Sequence, residues 1–269
     1  MNKNKMGSAM GPDKKRYFGY VGKEQIHQYF SVPKGQVVSG FSVGILLLDN
    51  WYPAIPGNVA NGTTYTFPVR HRMVEGATWE RINCGDPMLT EEIIGVAKSL
   101  QCEGCRVICG ACGYFGHFHR AVVEALEVPV FLSSLVQVPL IKATMRTDRK
   151  VGIICADATA LTGGIWESCG VDPKSCVVAG MPKGGEFDRG ILHDQGHFDS
   201  GRICEELVDT AGALLSEHPE VGALLLECSD LPPYAAELQR IVGLPVYDYI
   251  TMIKFAHSAV CQKPYEGFM

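Results

Sequence analysis

One unit occurs twice in this chain, and it narrows the folds open to it. Cys112 sits in Arg106-Val107-Ile108-Cys109-Gly110-Ala111-Cys112-Gly113, and Cys228 in Ala223-Leu224-Leu225-Leu226-Glu227-Cys228-Ser229-Asp230. Each thiol comes after a short apolar run of strand type and precedes a segment that reads as a helix. Pro129 stands 17 residues after Cys112, and Pro245 stands 17 residues after Cys228. Each proline opens another strand, Pro129-Val130-Phe131 or Pro245-Val246-Tyr247. The repeat predicts two similar half-molecules, each giving one thiol to a shared cleft.

The segments around the repeat fit that expectation. Residues 43–48 are continuously apolar, as in a strand buried on both faces of a parallel sheet. Val151-Gly152-Ile153 echoes Val43-Gly44-Ile45. Further strands are expected at 65–73, 128–132, 175–179 and 244–249. Helices are expected at 90–101, with Thr90 as N-cap and Glu91 and Glu92 in the first turn. Others read at 115–126, 136–145, 199–217, 232–242 and 251–261, with a short one after Thr162-Gly163-Gly164. Prolines and a glycine exclude helix from 49–58, and 181–196 reads as a glycine-rich loop. Strands alternating with helices predict an α/β fold of two pseudo-symmetric, flavodoxin-like parallel-sheet halves, with the active site in the cleft between them. Residues 41–147 plus 250–269 form the first half, and 148–249 the second. Residues 1–40 are an N-terminal extension, disordered over 1–15. Its Tyr17, Phe18, Tyr20, Ile26, Tyr29 and Phe30 suit packing onto the body or onto a second subunit. A homo-oligomer, dimer or tetramer, is expected.

The totals exclude several classes. Hydrophobic content of 46% and charge of 20% are ordinary for a globular protein. A net charge of −5 disfavours a nucleic-acid partner. No apolar run approaches the ~20 residues that span a bilayer, so no membrane partner is expected. Residues 1–16 hold lysines with no apolar stretch after them, unlike a secretory signal. The 11 cysteines then read as reduced thiols of a cytoplasmic protein.

A free thiol titrates near ~8.5, and a helix N-terminus beside it favours the anion. Gly113 permits a tight turn after Cys112. Ser229 or Asp230 is placed to cap the helix after Cys228, and Pro232 and Pro233 suit its first turn. Two thiols on opposite sides of one carbon form an acid/base pair. One removes a proton and the other returns one to the opposite face, with no metal or other cofactor.

These residues resemble the aspartate/glutamate racemase superfamily over roughly residues 42–259. Gly110-Ala111-Cys112-Gly113 takes the place of its first cysteine motif. Glu227-Cys228-Ser229-Asp230-Leu231 takes the place of its second, often Gly-Cys-Thr-Glu. Pro53-Ala54-Ile55-Pro56-Gly57 and the run from Leu225 through Pro232-Pro233-Tyr234 are similar to the algal dimethylsulfoniopropionate lyases. They mark that subgroup rather than a reaction. The resemblance implies a substrate carboxylate held by backbone N–H groups and hydroxyls at strand ends, here Gly113, Tyr114, Thr159 and Ser229. Gly-Tyr-Phe comes after the first cysteine where glutamate racemases have Asn-Thr. Asp49-Asn50-Trp51-Tyr52 comes after the first strand where they have Asp-Ser-Gly. Both departures argue against an α-amino acid. Trp51 and Tyr52 are suited to face a sulfonium cation, at about 0.5–2 kcal/mol.

Three readings are open. The first is a cofactor-independent racemase or epimerase of a small carboxylate, with Cys112 and Cys228 catalytic. The second is a lyase splitting dimethylsulfoniopropionate to acrylate and dimethyl sulfide with one thiolate. The third is a metal-binding or thiol-sensing protein built on Cys102, Cys105, Cys109 and Cys112. A strand through Cys109 would turn that thiol away from a metal tetrahedron. The pairs His117/His119 and His193/His197 lack a third ligand, though His117 is placed to neighbour Cys112. Met181-Pro182-Lys183-Gly184-Gly185 lacks phosphate-loop spacing and reads as a surface loop or lid. Glu227 is a base, a thiol orienter or a structural carboxylate. Asp49, Asn50 and Asp157 lie at strand ends, where ligand contacts compete with turn chemistry.

Overall fold

Each apolar run becomes a parallel strand. β1 (Val43–Leu47) lies between β2 (Val69–Met73) and β3 (Val107–Gly110), with β4 (Val130–Phe131) beyond β3. β5 (Lys150–Cys155) lies between β6 (Cys176–Gly180) and β7 (Val221–Leu226), with β8 (Val246–Tyr247) beyond β7. All pairings are parallel, and the two four-stranded sheets share one strand order. The register matches too: Leu46 pairs with Gly110, and Ile154 with Leu226. This computed structural model describes residues 21, 30–193 and 195–269. The readings for residues 1–15 and for Tyr17, Phe18, Tyr20, Ile26 and Tyr29 lie outside the described residues.

Helices cover the sheets. They are α1 (Trp79–Asn83), α2 (Thr90–Cys102), α3 (His119–Ala125), α4 (Val138–Ala143), α5 (Gly163–Ser168), α6 (Ser200–Glu217), α7 (Ala235–Val242) and α8 (Tyr249–Val260). Gly44 and Gly152 explain the repeated Val-Gly-Ile. A side chain on Gly44 would press on Leu100 of α2, and one on Gly152 on Leu214 of α6. Each glycine thus lets a helix close down on its central strand. Apolar residues of both halves merge into one cluster, running from Leu46 and Ile108 to Ile154 and Leu225. A second cluster joins Val43, Ile45, Val107 and Cys109 to Tyr249, Met252 and Ile253 of α8. The last helix therefore packs on the first sheet. Its capping box, Asp248 with Thr251, starts it two residues earlier than the sequence suggests.

Several local expectations are corrected. Thr90 is not a cap, because Asp86 caps a 3-10 turn, Pro87–Leu89, that runs straight into α2. The segment after Cys112 opens as a 3-10 turn, Gly113–Phe118, before α3. The glycine-rich loop contains a π-helical turn, Asp188–Leu192. No helix among the described residues is long and apolar enough to cross a membrane.

Candidate active site

Cys112 and Cys228 each stand two residues beyond their strands, β3 and β7, at the carboxyl ends. They are 5% and 7% exposed and line one pocket of about 20 Å³ in the seam between the halves. Such a volume holds roughly one water. Leu48 and Asn50 reach it from the first half, and Ile191 and Leu192 close it from the π-helical turn of the second. A larger cavity of about 560 Å³ lies beside Ser42 and Arg106, at the amino ends of β1 and β3, and contains neither thiol.

Hydrogen bonds tie the halves together here. Ser229 Oγ donates to Ala111 O at 2.7 Å. Tyr114 Oη donates to Asp157 O at 2.7 Å and accepts from Asp157 N at 2.8 Å. Trp79 stands edge-on to the Tyr114 ring, with centroids 5.2 Å apart, and lines the pocket.

The two thiols have different partners. Cys228 Sγ donates to Asp230 Oδ2 at 3.4 Å. Asp230 Oδ1 accepts from Tyr52 Oη at 2.8 Å and from Asn58 Nδ2. Cys112 receives backbone N–H groups of Tyr114 and Phe115, and Cys228 that of Asp230, which favour the anions. These donors do not win outright. Burial pushes both thiols well above the ordinary value, with the Glu227 carboxyl adding to this at Cys112 and Asp230 at Cys228. The expectation of thiols made acidic by helix ends is corrected accordingly: the flanking turns are short, and the sulfurs are enclosed.

Glu227 lies beneath this site. It is 0% exposed, and neither carboxyl oxygen has a hydrogen-bond partner. A side chain on Gly113 would overlap Glu227 Oε1, so the glycine leaves the room that this carboxyl fills. Burial raises the Glu227 pKa to about 8.

The remaining sequence candidates divide between the pocket and its supports. Asn50, Gly113, Tyr114 and Ser229 line it with the thiols. Tyr52 acts through Asp230. Trp51 points outward, 69% exposed, and its ring covers Gly196. Asp49 accepts from Gly76 N and fixes a loop. Asp157 caps a turn by accepting from Thr159 N and Oγ1, and Thr159 is exposed. Asp49, Trp51, Asp157 and Thr159 therefore stand outside the pocket lining. Ser229 and Asp230 cap no helix, because their side chains hold Ala111 and the Cys228 network. His117 is not beside Cys112; it bonds the Asn83 backbone and rests on Gly85.

Sequence reasoning missed Asn58, Trp79, Ile191 and Leu192, and took Asp230 only for a cap. The cluster Cys102 to Cys112 does not converge. Cys109 packs toward α8 while Cys105 and Cys112 face the other cluster, and Cys102 is exposed. Among the described residues no group of three or more His, Cys, Asp and Glu is placed to hold a metal ion.

Two like sheets with a site at their seam define a fold class. An allantoin racemase from Klebsiella pneumoniae superposes with a TM-score of 0.58 at 18% identity, over 81% of this chain and 88% of that one. A glutamate racemase from Bacillus anthracis gives 0.53 at 15% identity, over 82% of each chain. No protein-family model matches the chain. Among curated proteins, a dimethylsulfoniopropionate lyase of Durusdinium sp. clade D is 31% identical over 233 residues, 84% of this chain and 77% of that protein. Dimethylsulfoniopropionate lyase 5 of Emiliania huxleyi is 27% identical over 237 residues, and this chain spans 47% of its greater length. The chain shares the fold of those racemases, belongs to the family of the dimethylsulfoniopropionate lyases, and is an enzyme.

Proposed function

We propose that this enzyme removes the α-proton of a small carboxylate with a pair of cysteines, and that its reaction is the cleavage of dimethylsulfoniopropionate. The observation that carries this reading is the pocket lining. Among the described residues it has one carboxyl, Asp230, and no Lys, Arg or His, while Leu48, Trp79, Ile191 and Leu192 make it apolar. A dimethylsulfonium group is a cation that donates no hydrogen bond and carries methyls. It suits an aromatic ring and one carboxylate better than a polar cage would. The relatives named as dimethylsulfoniopropionate lyases support the same reading.

In this mechanism Cys112 is the base. Its thiolate receives two backbone N–H groups, whereas Cys228 receives one and also faces the Asp230 carboxyl. It takes the α-proton, the electron pair forms the carbon–carbon double bond, and the carbon–sulfur bond breaks with its pair going to sulfur. Acrylate and dimethyl sulfide result, and Cys112 is left as a thiol that returns its proton to solvent. Cys228, already donating toward Asp230, stays protonated and faces the developing enolate as a donor. Asn50 and the Gly113 N–H hold the carboxylate.

Purified protein given dimethylsulfoniopropionate should release dimethyl sulfide and acrylate in equal amounts. The matched placement of one thiol in each half supports a second reading, a two-base racemase or epimerase. It would prevail if no sulfide formed and deuterium from solvent entered the α-carbon of a chiral carboxylate with loss of optical rotation.

A further inference from the structure

We propose that Glu227 is a positioning residue whose titration is coupled to that of Cys112, so that thiol and carboxyl together carry at most one negative charge. The proposal rests on the reading of Cys112 as the base. Its ground is geometric. The Glu227 carboxyl is completely enclosed, has no hydrogen bond on either oxygen, and lies against the Cα of the residue next to Cys112. An unpaired ionised carboxylate is costly to enclose, so this group rests as a neutral acid until a neighbour changes that. Among the described residues no cation bears on it. The titratable groups within electrostatic reach are Cys112 and Tyr114 after β3, Cys155 at the end of β5, Cys169 after α5, Tyr249 at the start of α8, and Cys228 beside it. Asp230 is the other carboxyl that bears on both thiols, and it already serves Cys228.

Negative charges on Cys112 and on the carboxyl against its neighbour Gly113 oppose one another in this enclosed site, so the pair titrates as a unit. When it holds one charge, Cys112 can lose its proton to solvent as Glu227 regains one from solvent, since no hydrogen bond joins the two groups. The charge then moves from oxygen to sulfur with no net change in protons. Thiolate is thus present at a fixed fraction once Glu227 has lost its proton, and a further rise in pH adds none. The device holds the site at one base, leaving Cys228 as the acid.

The test is the pH dependence of Cys112 alkylation by iodoacetamide, read at that peptide by mass spectrometry from about pH 6 to about pH 10. In the wild type the rate should climb and then level near the pH at which Glu227 ionises. In Glu227→Gln, a neutral isostere, it should keep climbing about tenfold per pH unit, reaching on the order of tenfold or more above wild type at about pH 10. Glu227→Asp should level off again. Identical profiles for wild type and Glu227→Gln would overturn the proposal. An infrared difference spectrum of the wild type provides a check that needs neither variant folding nor thiol access. It should show the C=O stretch of an unbonded carboxylic acid at neutral pH, and its absence would overturn the proposal equally. Neither measurement depends on turnover. Full activity of Cys112→Ser would instead remove the reading of Cys112 as base, whatever the alkylation profile.

Discussion

Cys228 and Asp230 make the chemistry of the site unequal at the scale of single residues. Cys228 gives its proton toward a carboxylate and is met by one N–H donor, whereas Cys112 is met by two and has no such acceptor. Cys112→Ser should lower sulfide release by about 10²–10⁴-fold, the range of a lost general base, while circular dichroism shows a folded chain. Cys228→Ser should also lose most activity. Asp230→Asn should lower turnover and make Cys228 more acidic, because an N–H then faces the sulfur where an acceptor stood. Faster alkylation of Cys228 at neutral pH would report that change. Glu227 should mark stability as well. Burial lifts its pKa from an ordinary value near ~4.3 to about 8. Between those values the folded chain binds the extra proton. Its contribution to stability is full below about pH 4.3 and is lost as pH rises through about 8. The urea midpoint of the wild type should therefore fall more than that of Glu227→Gln between about pH 5 and about pH 8.

Elements were more legible in the sequence than the site they build. The strands could be read because parallel strands buried on both faces are written as unbroken apolar runs, and the repeated proline spacing gave the pseudo-symmetry. Helix starts were less legible. Thr90 and the segment after Cys112 begin in 3-10 turns, whose caps sit earlier in the chain. The thiols and the strand-end positions Asn50, Gly113, Tyr114 and Ser229 could be found, because residues just past a strand are placed by the strand itself. Trp79, Ile191, Leu192 and the partnership of Asp230 with Asn58 could not. Those come together only when distant loops meet, and no local spacing encodes them. The element scale makes its own prediction. Gly44→Ala and Gly152→Ala should each destabilise by about 1–3 kcal/mol, since the new methyl meets Leu100 or Leu214 in a full core. Thermal unfolding measures this, and a substitution of solvent-facing Gly163, where no atom is near, should shift it far less.

The whole molecule depends on how its halves meet. Tyr114 reaches from one half to both backbone groups of Asp157 in the other. Tyr114→Phe leaves that N–H without its partner and the C=O with only Ala160 N, at about 1–3 kcal/mol, and loosens the seam that encloses the thiols. It should lower both the unfolding temperature and turnover, whereas a change at the outer face of α6 should do neither. A pocket of about 20 Å³ also requires the wall formed by Ile191 and Leu192 to part before an organic acid enters. Leu192→Ala should therefore change KM more than kcat in steady-state assays.

That no described residue puts a cationic side chain in the pocket wall bears on how the product leaves. In the proposed reaction dimethylsulfoniopropionate arrives with its two charges balanced, and bond cleavage strips away the positive one. Acrylate is then a bare anion shut in beside Asp230, with nothing of opposite sign to retain it. Repulsion between acrylate and Asp230 favours release, so acrylate should accumulate to levels far above the working substrate concentration before it slows the enzyme.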